Sequence, residues 1–252
     1  KVIYAETVTN PLLDVPELGA VVDFAKDNKL ISMIDNTFAS PVNQNPADFG
    51  IDIIIHSATK YMGGHSDILA GAVACSEVHM DKIWNKAKNL GGSLSDFSVW
   101  MLERSLKTLV LRVKQQNKNA KKLAKWLDQN GHVKAVYYPG LKTHPDHALA
   151  KKQMRGYGGM LSFELSDELD AAAFMKELKL IKPSMSLAGV ESTILSPTQT
   201  SHALLSAEER ENQGIADGLL RFSVGIEEKE DLITDLKQAL EKVVKDSLNF
   251  SI

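Results

Sequence analysis

The stretch that most constrains the fold is the segment of residues 51–64, IDIIIHSATKYMGG. Its first five residues form a β-branched run typical of a buried strand. Small polar residues follow, and Lys60 stands between hydroxyls and a glycine pair. A lysine in a partly desolvated turn after a core strand suits a nucleophile that forms a Schiff base, because burial favours the neutral amine. A surface loop with an incidental lysine is the alternative that this stretch alone leaves open.

Size, charge and cysteine content exclude several classes of protein. The chain has 252 residues, enough for one large domain or two small ones. A net charge of -3 gives no overall attraction to nucleic acid or to an anionic membrane. No apolar run approaches the ~20 residues of a membrane helix. Cys75 is the only cysteine, so we expect no disulfide framework, no thiolate metal site and a reducing cytoplasm.

The first part of the chain has the pattern of a βαβ unit. Strand patterns cover residues 2–5, 30–34 and 51–55, and apolar residues at helical spacing predict a helix over 15–28. Asp14 and Glu17 have the spacing of a capping box at the start of that helix. Strand, helix and strand at this spacing predict a parallel sheet, whose ligands lie beyond the carboxyl ends of the strands. Asn10, Asp35 and the loop of residues 57–60 follow three strands and should converge at that edge.

The later sequence indicates a change of architecture. We predict a strand over 69–75, a helix over 78–90 and continuous helix over 95–129. Many lysines and arginines lie in that last helix, Arg112 among them. A basic helix can bind nucleic acid, but the chain is slightly acidic and no aromatics interleave the charges, so we favour a solvated face between domains. Strands over 133–138, 160–165 and 219–226, with helices over 170–178 and 228–244, then predict an α+β second domain.

Two charged residues in apolar strands call for partners. Asp35 ends a buried strand, where a carboxylate is costly unless it is paired. No helix start follows at once, so a cation such as a protonated pyridine nitrogen is preferred to a capping role. Arg221 lies in the alternating strand LLRFSV and is either exposed at an edge or holds an anion through its two-point fork. Ser57 and Thr59, which flank Lys60, are candidate ligands of a phosphate.

The histidines do not predict a metal site. No His-x-x-x-His or Cys-x-x-Cys spacing occurs. We therefore interpret His56, His65 and His202 as structural residues. His144 and His147 belong to the polar stretch THPDH, and we expect both on the surface.

Six motifs in order resemble one known family. They are VTNP at 8–11, IDNTF at 34–38, HSATKYMGGH at 56–65, GMLSF at 159–163, SLAGVES at 186–192 and GLLRFSVG at 218–225. Together they look like the Cys/Met-metabolism family of pyridoxal 5'-phosphate (PLP) enzymes, which includes cystathionine β-lyase, cystathionine γ-lyase, cystathionine γ-synthase and methionine γ-lyase. The resemblance covers nearly the whole chain. Ala188 departs from the glycine of many members, and Met185, whose position varies with reaction type, does not decide between reactions.

The resemblance implies an α/β fold, the aspartate aminotransferase-like fold type I. Residues 1–112 would be the second part of the large PLP domain and residues 113–252 the small C-terminal α+β domain. The family's glycine-rich phosphate turn and ring-stacking tyrosine would lie before Lys1, since we expect an N-terminal part to be absent from this sequence. The resemblance also implies a homotetramer of paired dimers, with active sites shared between chains.

The resemblance assigns a role to each candidate site residue. Lys60 would be the catalytic lysine that forms the Schiff base with PLP. Asp35 would pair with the pyridine nitrogen, and Ser57 and Thr59 would bind the phosphate. Arg221 would hold the substrate carboxylate with Ser186 nearby, and Asn10 would contact both the cofactor's phenolic oxygen and that carboxylate.

The expected reaction is cleavage of a carbon–sulfur bond. We expect β-elimination from cystathionine to homocysteine, pyruvate and ammonia, with the γ-lyase, γ-synthase and methionine γ-lyase reactions as alternatives. A non-catalytic fragment that lacks part of the site is an alternative of a different class. A nucleic-acid binder would need a steeply salt-dependent affinity for DNA, and we expect none.

Overall fold

The first half of the chain forms a four-stranded sheet at whose edge the candidate site residues lie. The computed structural model describes residues 1–249, and its first sheet has the order β1-β2-β3-β4. These strands are β1 (Val2–Glu6), β2 (Ile31–Asp35), β3 (Ile53–Ser57) and β4 (Gly71–Cys75). The first three are parallel, as predicted, whereas β4 is antiparallel to β3. Helix α1 (Leu18–Asp27) connects β1 to β2 and buries one apolar face against the sheet.

The start of α1 differs from the prediction. The helix begins at Leu18, and Glu17 at its N-cap position makes no side-chain capping bond. The capping box of Asp14 and Glu17 is therefore wrong. Asp14 is engaged in the preceding loop, where its carboxylate accepts a hydrogen bond from Thr9 Oγ1 at 3.2 Å. The Asp14 carboxylate therefore stabilises the loop and does not cap the helix.

The segment after β2 is partly helical. It contains the short helix α2 (Ser40–Asn43) and a 3-10 turn (Pro46–Phe49). Further along, α3 (Glu77–Leu90) follows β4 and ends at Gly91, which adopts the left-handed conformation with a φ of 73°. Glycine in this conformation commonly ends a helix.

The continuous helix predicted over 95–129 is two helices. α4 (Asp96–Leu106) and α5 (Leu109–Asp128) are separated by Lys107 and Thr108. At the break Thr108 N donates to Ser105 O at 3.2 Å, and Thr108 Oγ1 donates to the same carbonyl at 3.2 Å. A threonine that competes for backbone acceptors in this way interrupts the regular ladder of a helix.

The second half forms a five-stranded sheet in the order β5-β6-β9-β8-β7. Its strands are β5 (Val133–Tyr137), β6 (Met160–Leu165), β7 (Lys182–Pro183), β8 (Thr193–Leu195) and β9 (Leu219–Ser223). Its helices are α6 (His147–Gln153), α7 (Ala171–Glu177), α8 (Ala207–Asn212) and α9 (Lys229–Asn249). Neighbouring strands are antiparallel except β7 and β8. Because β9 lies in the middle, all five of its residues are buried, and the expected alternation is not observed.

The two halves share a hydrophobic core. The larger core cluster joins Val8 and Tyr61 from the first half to Leu123 of α5 and Phe163 of β6. A smaller cluster lies between α1 and the first sheet. The domain boundary proposed at 112/113 falls inside α5, whose buried face contributes to the larger cluster. None of the helices in residues 1–249 is long and apolar enough to cross a membrane.

Candidate active site

The three predicted polar positions do converge at the carboxyl edge of the parallel strands. Asp35 ends β2, Ser57 ends β3, and Asn10 lies in the loop after β1. All three line one cavity of about 130 Å³. Glu6, Val8, Thr37 and Phe38 complete the lining. Asn10, Asp35 and Ser57 therefore lie together as the argument from strand ends predicted, whereas Thr59 and Lys60 line a different cavity.

The cavity carries negative charge that its own residues do not balance. Asp35 accepts hydrogen bonds from Thr37 N at 2.9 Å and from Tyr4 OH at 3.3 Å. No ion pair to Asp35 is found within residues 1–249. Burial, and then the charge of Asp35, raise the pKa of Glu6, and burial with the same charge raises the pKa of Tyr4 to about 12. A cationic group is the complement that this cavity fits.

Lys60 lies in a tight turn directly after β3, within the segment of residues 57–64 that we call the Lys60 loop. Lys60 N donates to Ser57 O at 3.0 Å, and Gly64 N donates to Lys60 O at 2.7 Å. The side chain is half-buried and lines a second cavity of about 510 Å³ together with Thr59, Met185 and Ser186. Burial, and then the charge of Arg221, lower the pKa of Lys60. Both effects shift the amine towards its reactive, neutral form.

The two candidate phosphate ligands have different surroundings. Ser57 lines the cavity of Asp35, and its backbone N–H donates to Thr37 Oγ1 at 2.8 Å. Thr59 lines the cavity of Lys60 instead. Its hydroxyl accepts from Ala70 N at 2.9 Å and donates to Ala70 O at 3.3 Å. Thr59 therefore also anchors the segment that leads into β4.

Arg221 is buried in the centre of the second sheet, so it is not exposed at an edge. Its guanidinium donates to Asn10 Oδ1 at 3.2 Å and to Met185 O at 3.3 Å, both neutral acceptors. Nε is buried without a partner in the described part of the chain. Burial lowers the pKa of Arg221 to about 10, which still leaves it charged at neutral pH. A buried cation with a free donor fits an anion.

Ser186 lies beside this arginine on a loop of residues 184–192, which we call the Ser186 loop. Ser186 O accepts a hydrogen bond from Thr193 Oγ1 at 2.8 Å. Ala188 adopts a left-handed φ of 63°, and its N–H donates to Ser223 Oγ at 2.6 Å. This backbone conformation suits the glycine that many members carry here. The loop is held to β9 two residues from Arg221.

Helix α5 supplies site-supporting residues that sequence reasoning missed. The solvated-face interpretation holds for the exposed Lys114, Lys118 and Lys121, but it is wrong for Arg112, which is 5% exposed. Arg112, Gln116 and Asn119 form a buried polar row along the helix. Their spacing of four and three residues places them on one helix face, and this spacing in the sequence could have revealed the polar row.

Each member of that row binds backbone carbonyls of a different loop. Arg112 donates to Tyr61 O in the Lys60 loop at 2.8 Å. Gln116 donates to Gly189 O in the Ser186 loop at 2.7 Å, and Asn119 donates to Gly225 O, just after β9, at 3.1 Å. The helix therefore ties together the segments that present Lys60, Ser186 and Arg221.

The histidines are mostly structural, with one correction. His56 is buried, His65 Nδ1 lies 2.7 Å from Gly63 O, and His202 Nδ1 lies 2.9 Å from Ser201 Oγ. His144 is not on the surface as predicted but 5% exposed, because its ring accepts a hydrogen bond from Asp146 N at 3.1 Å inside a compact turn. Among residues 1–245, whose side chains are described, no cluster of three or more His, Cys, Asp or Glu side chains could hold a metal ion.

A lysine turn after a parallel strand, an acid at the end of the neighbouring strand and a buried arginine from a second sheet are together typical of the fold type I PLP-dependent enzymes. The family model of the Cys/Met metabolism PLP-dependent enzymes matches residues 1–241. The chain belongs to that family, as its motifs indicated, and the fold class is confirmed.

Named relatives carry out more than one reaction. The chain is 46% identical over 243 residues to cystathionine β-lyase of Lactococcus lactis subsp. cremoris (strain MG1363), and the match covers 96% of this chain and 64% of the relative. It is 44% identical over 244 residues to cystathionine γ-lyase of Bacillus subtilis (strain 168), with the same coverage of 96% and 64%. The chain thus spans about 64% of the length of these relatives.

Solved structures of the family share the fold closely. Cystathionine γ-lyase from Lactobacillus plantarum, complexed with L-serine, superposes with a TM-score of 0.94 at 40% identity, over 96% of this chain and 64% of that one. Cystathionine γ-synthase from Xanthomonas oryzae pv. oryzae, in complex with cystathionine, gives a TM-score of 0.92 at 44% identity, over 97% and 64%.

Proposed function

We propose that the protein containing this chain is a PLP-dependent carbon–sulfur lyase that cleaves cystathionine by β-elimination. The observation that carries the proposal is Arg221, a buried guanidinium with one unpartnered donor, whose charge acts on the half-buried amine of Lys60. Such a pair can hold the carboxylate of an amino acid while a neutral amine reaches its Cα. The names of the relatives support the same chemistry.

The residues present fit the cofactor of the family. Asp35, which has no ion pair in the described part of the chain, would hold the protonated ring nitrogen in the cavity where its charge already raises the pKa of Glu6. Ser57 and Thr59 would bind the phosphate. Asn10, already hydrogen-bonded to Arg221, would lie between the phenolic oxygen and the substrate carboxylate. Bound there, PLP supplies an electron sink for negative charge at the substrate Cα.

The side chains of this chain have separate roles in the proposed reaction. Arg221, assisted by Ser186 and Asn10, orients the substrate through its carboxylate. Lys60 removes the proton from Cα, a role for which its lowered pKa suits it. The Cβ–S bond breaks, and the sulfur leaves as the thiolate of homocysteine, which takes up a proton. The remaining three-carbon enamine hydrolyses to pyruvate and ammonia.

The second candidate is γ-chemistry, as in cystathionine γ-lyase, cystathionine γ-synthase or methionine γ-lyase. It is favoured by the γ-lyase relative, which is 44% identical and nearly as similar as the β-lyase at 46%. Product analysis with cystathionine separates the two reactions. Pyruvate supports β-cleavage, whereas 2-oxobutyrate without pyruvate would overturn it.

The test of the site is a Lys60→Ala variant. We expect it to lose both the absorbance band of the lysine-bound cofactor and turnover. Lys125→Ala, an exposed lysine of α5, is the matched control and should keep both. Release of thiol at the normal rate by Lys60→Ala would contradict the assignment. A wild-type protein that binds no PLP would instead support the alternative of a non-catalytic fragment.

We also propose that the enzyme acts in the cytoplasm as a homotetramer of paired dimers. The support is the resemblance to the family. Native mass measurement on the intact protein tests the assembly, and a monomer that is fully active would contradict it.

A further inference from the structure

Arg112 is a buried cation with only neutral partners. Its Nε donates to Thr108 Oγ1 at 3.0 Å, and its Nη1 donates to Tyr61 O at 2.8 Å. Its Nη2 donates to Met62 O at 3.2 Å and to Ser105 O at 3.0 Å. Among residues 1–245, whose side chains the structure describes, no carboxylate pairs with it. Burial of an arginine is costly, so a specific use for its planar fork is to be expected.

Two of the four acceptors belong to the residues that follow Lys60. On the C-terminal side of Lys60, the guanidinium donates to the carbonyls of Tyr61 and Met62. On the N-terminal side, Lys60 N donates to Ser57 O. The backbone of Lys60 is therefore fixed at both ends. A lysine at position 112 could not make the same contacts, because an ammonium has three donors and no planar fork.

Gly64 shows how closely the loop follows the guanidinium. Its φ is 72°, and a Cβ placed there would lie 1.8 Å from Arg112 Nη1. Only glycine allows the chain to pass at this distance. Gly64 N also bonds to Lys60 O, and Gly64 O accepts from Val190 N at 2.9 Å, so the same turn joins the Lys60 loop to the Ser186 loop.

We propose that Arg112 is a positioning residue for Lys60: its guanidinium holds the carbonyls of Tyr61 and Met62 and thereby directs the Lys60 amine into the cavity that it lines with Ser186. The proposal rests on the proposed function, which makes that amine the reacting group. Arg112 itself does not touch the cavity of Lys60.

The experiment compares Arg112→Ala and Arg112→Lys with Gln153→Leu in the protein that contains this chain. Gln153 is a matched control because it is also buried and also holds loop backbone, donating to Pro16 O and accepting from Leu18 N, both at 2.9 Å. It does not contact the Lys60 loop in these bonds. All variants are measured well below their unfolding temperatures, and Arg112→Lys preserves bulk and charge where Arg112→Ala fails to fold.

The first readout is amide hydrogen exchange of residues 58–64 without cofactor. We expect at least about tenfold faster exchange in both Arg112 variants, because Gly63 N and Gly64 N lose a fixed turn. The second readout is the rate at which Lys60 is trapped by PLP and borohydride, located by peptide mass spectrometry. A displacement of about 1 Å should slow it on the order of a hundredfold. Gln153→Leu should change neither readout.

Guanidinium ion at millimolar concentration should restore both readouts in Arg112→Ala, since it can fill the space that the substitution leaves, and should not affect Arg112→Lys. Wild-type exchange and trapping in both Arg112 variants would overturn the proposal, and so would equal losses in Gln153→Leu. Failure of the wild-type protein to trap PLP at Lys60 would overturn the proposed function instead, while exchange would still decide whether Arg112 holds the loop.

Discussion

At the scale of single residues, the candidate site is defined by two charges that the described residues leave unbalanced. Asp35 lacks an ion pair and faces a cavity, and Arg221 is buried with one unpartnered donor. Arg221 is buried and Asp35 half-buried, and unpaired charges in such positions are disfavoured unless a ligand supplies the counter-charge. The negative charge of Asp35 would complement a pyridinium ring, and the positive charge of Arg221 would complement the carboxylate of an amino acid joined to that ring.

Replacement of Arg221 by lysine tests the carboxylate site. Arg221→Lys keeps the charge but loses the two-point geometry, so we expect KM to rise about tenfold to a hundredfold, the equivalent of one charge-assisted hydrogen bond of roughly 1.5–3 kcal/mol. Steady-state kinetics with cystathionine gives the value. Arg155→Lys is the matched control, because Arg155 pairs with Asp48 on the surface at 3.3 Å. An unchanged KM in Arg221→Lys would remove the arginine from the substrate site.

Replacement of Asp35 by asparagine tests the cofactor site. Asp35→Asn keeps an acceptor for Thr37 N but removes the charge that would keep a ring nitrogen protonated. We expect kcat to fall by roughly two orders of magnitude or more, in line with loss of about 3 kcal/mol of stabilisation. Turnover and PLP titration measure the effect. Asp48→Asn, at an exposed aspartate, should behave like wild type, and equal kcat values for the two variants would refute the role of Asp35.

Sequence reasoning located Asp35, Ser57 and Lys60 because polar residues at strand ends stand out against apolar runs. It also identified Arg221, but could not choose between an exposed and a buried arginine. That choice depends on strand order, and β9 becomes central only when β6 and β8 pair on either side of it. Such pairing joins residues that are 55–63 and 26–30 positions apart in sequence, which local pattern does not encode.

At the scale of secondary-structure elements, α5 contributes most to the site. Its polar row binds acceptors that are 51, 73 and 106 residues away in sequence. Local periodicity predicted the helix but not the function of its polar face, because buried and solvated polar residues have the same spacing. Sequence periodicity also missed the break between α4 and α5. At that break Ser105 O accepts from two side chains, Thr108 Oγ1 and Arg112 Nη2, and such side-chain bonds are not visible in the spacing of apolar residues.

The contact between α5 and the Lys60 loop predicts different costs at two glycines. Gly64 and Gly91 have nearly the same φ, 72° and 73°, but only Gly64 has a neighbour within 4 Å of an added Cβ. Gly91→Ala should therefore cost about 1 kcal/mol, the left-handed penalty alone. Gly64→Ala should cost roughly 2–4 kcal/mol, because Arg112 must also move. Urea unfolding measures the loss in free energy of unfolding for both variants. Equal losses would show that close contact with Arg112 does not restrict residue 64.

At the scale of the whole molecule, the two halves are held together by bonds of long sequence separation. Asp146 Oδ2 accepts from Val15 N at 2.9 Å, and Gln153 binds the start of α1. The turn that presents Asp146 is closed by the neutral ring of His144, whose Nδ1 accepts from Asp146 N at 3.1 Å. A protonated imidazole has no acceptor nitrogen, so acid should weaken this connection between the halves.

Burial lowers the pKa of His144 below its ordinary value of 6.5, against the opposing charges of Asp146 and Asp14. As the pH falls through 6.5 towards the lower folded pKa, the unfolded chain binds a proton that the folded chain does not, so the free energy of unfolding decreases. The slope contributed by this one group is at most about 1.4 kcal/mol per pH unit.

Urea unfolding between pH 8 and pH 5 should show that His144→Gln, which cannot titrate, loses less stability than wild type over this range. His132→Gln, which removes an exposed histidine, should follow wild type. Parallel curves for wild type and His144→Gln would mean that His144 titrates alike in the folded and unfolded chains, and that the turn between the halves does not require a neutral ring.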